Sequence, residues 1–123
     1  MALGLTGAVQ AEDHVFSGTQ TVSDQPADMV EAIDNLVVRN GDLTVTGGDW
    51  LTGEVRVGRG SSLTFTDDAQ LQTSNGNLRL WGSAEFGATY HAVDGTTSVY
   101  GGGELKTSAG ETHFTDGISV AEN

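Results

Sequence analysis

A three-residue phrase recurs from Leu43 to Val120: apolar, polar, apolar, then a small or acidic corner. It reads Leu43-Thr44-Val45, Val55-Arg56-Val57, Leu63-Thr64-Phe65, Leu78-Arg79-Leu80, Ala84-Glu85-Phe86 and Ile118-Ser119-Val120. Alternation with a period of two puts successive side chains on opposite faces, the pattern of a half-buried strand. The corners are Gly, Asn, Asp and Ser, which accept the backbone angles of tight turns. The phrases also recur at long range. Leu43, Leu63, Ala84 and Leu105 are spaced by 20, 21 and 21 residues, and Val57, Leu78, Val99 and Val120 by 21 each time. Such a repeat, holding two or three short strands, suits a coil that climbs one strand spacing, about 4.8 Å, per turn.

The expected fold is therefore all-β: a short right-handed β-solenoid, or β-helix, with coils of about 20 residues. Three parts are expected: an N-terminal arm over residues 1–25, one short capping helix over 26–35, and the solenoid domain over 36–123. A small antiparallel β-sandwich is the alternative, because Asn40-Gly41-Asp42 and Asn75-Gly76-Asn77 also suit type I′ hairpin turns. In the solenoid frame Leu43, Val45, Val57, Leu63, Phe65, Leu78, Leu80, Phe86, Val99, Leu105 and Val120 point inward.

The helix is predicted from local signals. Pro26 suits a first helical position, since its missing N–H would have no partner there. Asp28 and Glu31 favour the positive end of the dipole, Met29, Val30 and Ile33 share one face, and Asn35 offers a left-handed stop. So short a helix needs packing to persist, which places it across the apolar mouth of the stack. In the arm, His14-Val15-Phe16 and Thr19-Gln20-Thr21-Val22 are placed to pair as strands around Ser17-Gly18. Ala2 to Ala11 is small, apolar and uncharged and reads either as a packed first strand or as a docking arm. Met1 to Ala11 lacks the basic region and the unbroken apolar stretch of a signal peptide, and reads as part of the mature chain.

Charge narrows the partners. The chain holds 17 acids against 5 bases, a formal net charge of −12, with Lys106 its single lysine. A nucleic-acid or anionic-lipid partner held by a basic patch is not expected. No transmembrane run is present. The acids read as a solvated surface or as adaptation to high salt, where ions screen self-repulsion. With no cysteine there is no disulfide and no thiolate metal site. Eighteen glycines with one proline suit many tight corners between strands whose amides stay paired.

Motifs for chemistry are sparse. Gly-x-Ser-x-Gly and the phosphate-binding glycine loops are absent, and Gly101-Gly102-Gly103 reads as a loose corner. His14, His91 and His113 lack metal-ligand spacing. Asp49 with Asp67-Asp68 reads as a solvated corner, with Ca²⁺ as the sharper reading. Glu54 with Asp49, or Glu85 with Asp67, could face each other as a hydrolytic carboxylate pair, but the coils are too short to build a cleft. Thr44, Thr46, Thr64 and Thr66 form an outward patch that ends at Glu85 and Gly87, too small for an ice-binding face; threonine is also simply a good strand residue. No enzyme activity, cofactor, catalytic residue or resident metal is expected.

The phrases Leu43-Thr44-Val45-Thr46-Gly47-Gly48 and Gly58-Arg59-Gly60-Ser61-Ser62-Leu63-Thr64-Phe65-Thr66 resemble the repeats of β-solenoid structural proteins. Two groups share this texture over residues 36–120: decoration, spike and fibre proteins of tailed viruses of a halophile, and bactofilin-like filament proteins. The first resemblance implies a non-catalytic structural protein of a homo-oligomeric assembly located in the virion, as a capsid decoration, turret, spike or fibre. Its partners would be copies of itself and a capsid or tail protein, with no membrane insertion. The second implies a cytoplasmic filament, against which stand the missing basic or proline-rich tails and the irregular stretch Gly87 to Tyr100. A third reading is a carbohydrate-binding or adhesin module at a cell surface, holding a glycan on its aromatics. Assembly contacts are expected at Leu3, Leu5, Val9, Val15, Phe16, Met29, Trp50, Trp81, Tyr90 and Tyr100, because aromatic and large apolar groups at corners and arms commonly anchor subunits.

Overall fold

The computed structural model describes residues 10–66, 68–74, 76–87, 90–108 and 111–120. It is all-β, a parallel β-solenoid of about five turns. Two long strands begin the stack, β1 (Asp13–Val22) and β2 (Asn35–Val45). Eleven short ones follow: β3 (Gly48–Thr52), β4 (Val55–Val57), β5 (Ser62–Phe65), β6 (Ala69–Thr73), β7 (Leu78–Leu80), β8 (Ser83–Phe86), β9 (Tyr90–Val93), β10 (Thr97–Val99), β11 (Glu104–Thr107), β12 (Glu111–Phe114) and β13 (Ile118–Val120).

They stack into three faces. The first half of β2 starts one limb, β4-β7-β10-β13; its second half starts another, β5-β8-β11; and β3-β6-β9-β12 make the third face. Every pairing is parallel, with β1 lying along both halves of β2. The expected column Leu43–Leu63–Ala84–Leu105 is a true register column. Corners continue the ladder. The N–H groups of Thr46, Thr66, Gly87 and Ser108 donate to the carbonyls of Val22, Val45, Phe65 and Phe86 at 2.7–2.9 Å, one coil below in each case. Thr46, Thr66 and Ser108 aim their hydroxyls at the same carbonyls, so these corners leave few backbone groups unpaired.

The core is a narrow apolar column inside the three faces. Leu36, Val38, Val45, Val55, Val57, Leu63, Phe65, Leu71, Leu78, Leu80 and Phe86 are fully buried. A chain of rings runs along it: Phe16 to Trp50 at 6.3 Å between centroids, Trp50 edge-on to Phe65 at 6.1 Å, Phe65 to Phe86 at 6.0 Å. Offset and edge contacts at these distances add to the burial of each ring.

Where coils turn from the third face back to the first, glycines meet. A Cβ on Gly76 would lie well under 3.0 Å from the backbone of Gly53, and one on Gly95 equally close to Gly76. Glycine is required at this edge because one backbone rests against the next. The sequence reading of all glycines as turn formers was too narrow: at Gly53, Gly76 and Gly95 the cause is close approach.

Several sequence expectations are corrected. Residues 26–34 form turns and no helix lies among the described residues. A single turn gains too little to nucleate, and its backbone groups have better partners elsewhere. The Ala32 N–H donates to the Leu51 carbonyl at 3.0 Å, and the buried Asp34 carboxylate accepts from Val30 and Glu12 N–H at 2.8 and 3.1 Å. Ala32, at φ 67°, supplies the left-handed residue expected at Asn35. The segment does cover the mouth of the stack: Met29 is buried, and the Gln25 side chain acts as a missing strand. Its Oε1 accepts from Leu51 N–H at 2.8 Å and its Nε2 donates to the Leu51 carbonyl at 2.9 Å, capping the edge of β3.

Residues 13–22 are one strand with a bulge between Phe16 and Gly18, stacked as the first rung on β2; they make no hairpin, and this part of the expected arm belongs to the solenoid. Asn40 takes φ 56° inside β2, so Asn40-Gly41 is a bend of a continuing strand and no hairpin turn. Asn75 lies outside the described residues. Val57 stacks on Leu80, and Leu80 on Val99, whereas Leu78 joins the column of Val55 and Thr97. Val120 points inward but is 70% exposed, because no further described rung covers it; Leu105 is half-buried for the same reason.

Candidate functional site

The residues expected at contacts separate into three groups. Leu3, Leu5 and Val9 lie outside the described residues. Phe16, Met29 and Trp50 are buried, so they are core and not surface anchors. Trp50 sits on β3, and its indole N–H is satisfied internally by the Gly47 carbonyl at 3.1 Å. Val15, Trp81 and Tyr100 remain at the surface: Val15 is 41% exposed, and Trp81 and Tyr100 are half-buried. The backbone of Tyr90 belongs to β9.

Two surface features stand out. The first lies where the first face bends into the second. Val38, Val57, Leu80 and Val99 share a register column, so the next residues, Arg39, Gly58, Trp81 and Tyr100, form an outward column beside it. The N–H groups of Gly58, Trp81 and Tyr100 carry that ladder onward to the carbonyls of Val38, Val57 and Leu80 at 2.8–2.9 Å. Trp81 and Tyr100 stack with centroids 4.4 Å apart and planes 12° from parallel. Next to them opens a groove of about 250 Å³ lined by Asp13, Val37, Arg39, Arg56, Gly58 and Trp81. All four arginines of this acidic chain (Arg39, Arg56, Arg59 and Arg79) belong to this face or its corner. Arg56 pairs with Asp13 through Nη2 and lies 3.2 Å from Glu54 through Nε, and Arg79 Nε lies 3.2 Å from the other Glu54 oxygen. The amide of Asn35, and then Arg56, hold the Asp13 carboxyl below its ordinary pKa. Arg39 and Arg59 are exposed and carry no ion pair among the described residues.

The second feature is the last coil. β11, β12 and β13 are the last strands of their columns among the described residues. Ile118 is 49% and Val120 70% exposed, with half-buried Leu105 and Phe114 beside them. Lys106 with Glu104 at 3.7 Å, and His113 with Glu111 at 3.4 Å, border the same end.

The other sequence candidates do not converge. Glu54 is held by two arginines, Asp67 lies outside the described residues, and no metal-binding cluster of three or more His, Asp or Glu exists among the described ones. The threonine row gains one member, Thr21, in register with Thr44 and Thr64, then ends as expected at Glu85, with Lys106 next in that column.

His91 is fully buried, its ring 5.9 Å from Phe65 and 5.1 Å from Phe86. Its Nδ1 accepts from the Leu71 N–H at 3.2 Å, so the neutral ring carries its proton on Nε2. Burial pushes the His91 pKa below its ordinary value, partly opposed by a hydrogen bond with the Gly87 backbone. The unfolded chain then binds the proton at a higher pH than the folded one. Stability is fully present above about pH 6.5 and falls as pH drops through the window below it, by up to about 1.4 kcal/mol per pH unit from this group. Urea unfolding at a series of pH values should show this acid-side slope reduced in His91→Gln, which keeps an acceptor for Leu71; equal slopes would refute it.

Comparison with known proteins gives no match: no family model, no curated protein and no solved structure aligns with this chain.

Proposed function

We propose that this protein is a non-catalytic structural subunit that works in an assembly of its own copies, with the last coil as a contact. The supporting observation is the apolar last coil: inward-pointing Ile118 and Val120 are exposed, and no further rung lies on β11, β12 or β13 among the described residues. At the opposite end residues 23–34 cover the core mouth and the β3 edge, with Met29 buried and Gln25 on Leu51, while the outer edge of β1 has no partner strand among the described residues. A contact of one last coil with the last coil of a second copy uses the same patch on both and closes on itself, whereas a filament would need the last coil to seat on the opposite end. A virion component, such as a decoration, turret, spike or fibre subunit, is the setting this reading fits best; a bactofilin-like filament is the alternative.

Magnitudes set the condition. Covering Ile118 and Val120 yields at most about 3–6 kcal/mol, and two copies at −12 each repel one another. Screening shortens that repulsion to a few ångströms in molar salt. Light scattering and electron microscopy should therefore show a discrete oligomer in molar salt that dissociates at low salt. The pair Ile118→Glu and Val120→Glu should leave a folded monomer under both conditions. Uniform filaments would move the reading to the cytoskeletal alternative, and a monomer at molar salt would remove it.

A further inference from the structure

We propose that the gap above Gly58 is a binding slot for one flat aromatic ring that carries an anionic group. The outward column runs Arg39, Gly58, Trp81, Tyr100, one residue per coil. Coils in such a stack are about 4.8 Å apart. Trp81 and Tyr100 keep that repeat, with their rings 4.4 Å apart and nearly parallel. The next position toward Arg39 has no side chain, because it is Gly58. The backbones of Arg39 and Trp81 therefore stand two coil spacings apart, about 9.6 Å, with a one-ring gap between their side chains. The groove found there is lined by both residues and by Gly58.

The walls select the ligand. A guanidinium and an indole both prefer the face of a π system, and a ring between them would continue the existing stack. A planar ring can offer a π face to each wall, whereas a pyranose presents only C–H groups, which a guanidinium does not seek. The rim selects charge. Arg39 and Arg59 flank Gly58 exposed and without an ion pair among the described residues. Arg56, on the same coil as Gly58, is already fixed by Asp13 and Glu54. Four arginines against Asp13 and Glu54 make this corner locally positive on a chain of net charge −12. An aromatic carboxylate and a mononucleotide share the required chemistry, a planar ring with a negative substituent.

Gly58 is free of the constraints that fix other glycines here. A Cβ at this position would meet the Val38 carbonyl oxygen at 3.4 Å and Arg39 Cβ at 3.5 Å, ordinary contacts. Gly58→Phe can therefore fold and fill the slot with its own ring.

The test is a titration followed by the indole N–H resonances of isotopically labelled protein. There are two tryptophans, and buried Trp50 is the internal control. The probes are 2-naphthoate, adenosine monophosphate and glucuronate, at millimolar concentration and moderate salt. Naphthoate or the nucleotide should shift the Trp81 signal saturably and leave Trp50 unmoved; which of the two binds more tightly identifies the source. Affinity should fall at least tenfold in Gly58→Phe and in Arg39→Ala; the second variant changes an exposed wall residue, keeps the Trp81 reporter and keeps the test valid if the first fails to fold. Saturable binding of glucuronate alone, no saturable shift with any probe, or full affinity in either folded variant would overturn the proposal.

Discussion

Replacing Phe65 by alanine should lower the free energy of unfolding by about 3–5 kcal/mol, the range for truncating a fully buried phenylalanine. Phe65 is fully buried, and its ring touches those of Trp50, Phe86 and His91 at 6.1, 6.0 and 5.9 Å. It joins the second face to the third, since β5 carries Phe65, β3 carries Trp50 and β9 carries His91. Parallel ladders above and below hold the surrounding backbone apart, so the walls cannot collapse into the space left behind. The cost should therefore lie toward the upper part of that range. Urea unfolding at neutral pH measures it, with Phe65→Leu as the milder companion. A loss below about 1 kcal/mol would mean that the core does not depend on this ring.

Gly76→Ala should be comparably damaging although it adds one carbon to a corner. The new Cβ would fall well under 3.0 Å from the carbonyl of Gly53 and within 2.8 Å of the Glu54 amide nitrogen. Neither is the end of a side chain that can swing away. Two coils would have to separate locally, disturbing the pairing of β4 with β7 just beyond. Overpacking typically costs 1–3 kcal/mol where side chains can yield, so about 3 kcal/mol is expected against rigid backbone. Gly58→Ala is the control. Its Cβ meets ordinary contacts, and the loss of unfolded-state freedom should leave it neutral or stabilised by about 0.4–1 kcal/mol. Thermal melting of the two variants side by side decides the matter; equal melting temperatures would show that the Gly53–Gly76–Gly95 edge is not closely packed.

The legible part of this fold was the part with a period. Alternating triplets located β2, β4, β5, β7, β8 and β13, and the 20–21 residue spacing gave the Leu43–Leu63–Ala84–Leu105 column in its true register. The same arithmetic misplaced Leu78, because corners of unequal length compensate. Val57 and Leu80 are 23 residues apart and Leu80 and Val99 only 19, so the mean repeat survives while each step is off by two. The third face was the least visible. Its strands bury Thr52, Thr73 and His91 beside Trp50 and Leu71, and polar core residues blur the alternation. Trp50 therefore looked like a corner aromatic. The capping segment was legible as a cover and misread as a helix, because its hydrogen bonds go to Leu51 and Asp34 across the fold. The slot at Gly58 could not be read from Gly58-Arg59-Gly60, which has the texture of a plain turn. It exists only through the register that sets Gly58 between Arg39 and Trp81.

The parallel, in-register stacking of the coils also separates length from cross-section. Each coil meets the one before it and the one after it through the same three edges, so nothing in the middle of the rod records how many coils it has. Doubling or excising one coil between Leu63 and Ala84 would change the height by about one strand spacing of 4.8 Å and leave both ends as they are. A protein built this way can act as a spacer whose reach is adjusted in fixed increments, while the first and last described coils keep the surfaces they have.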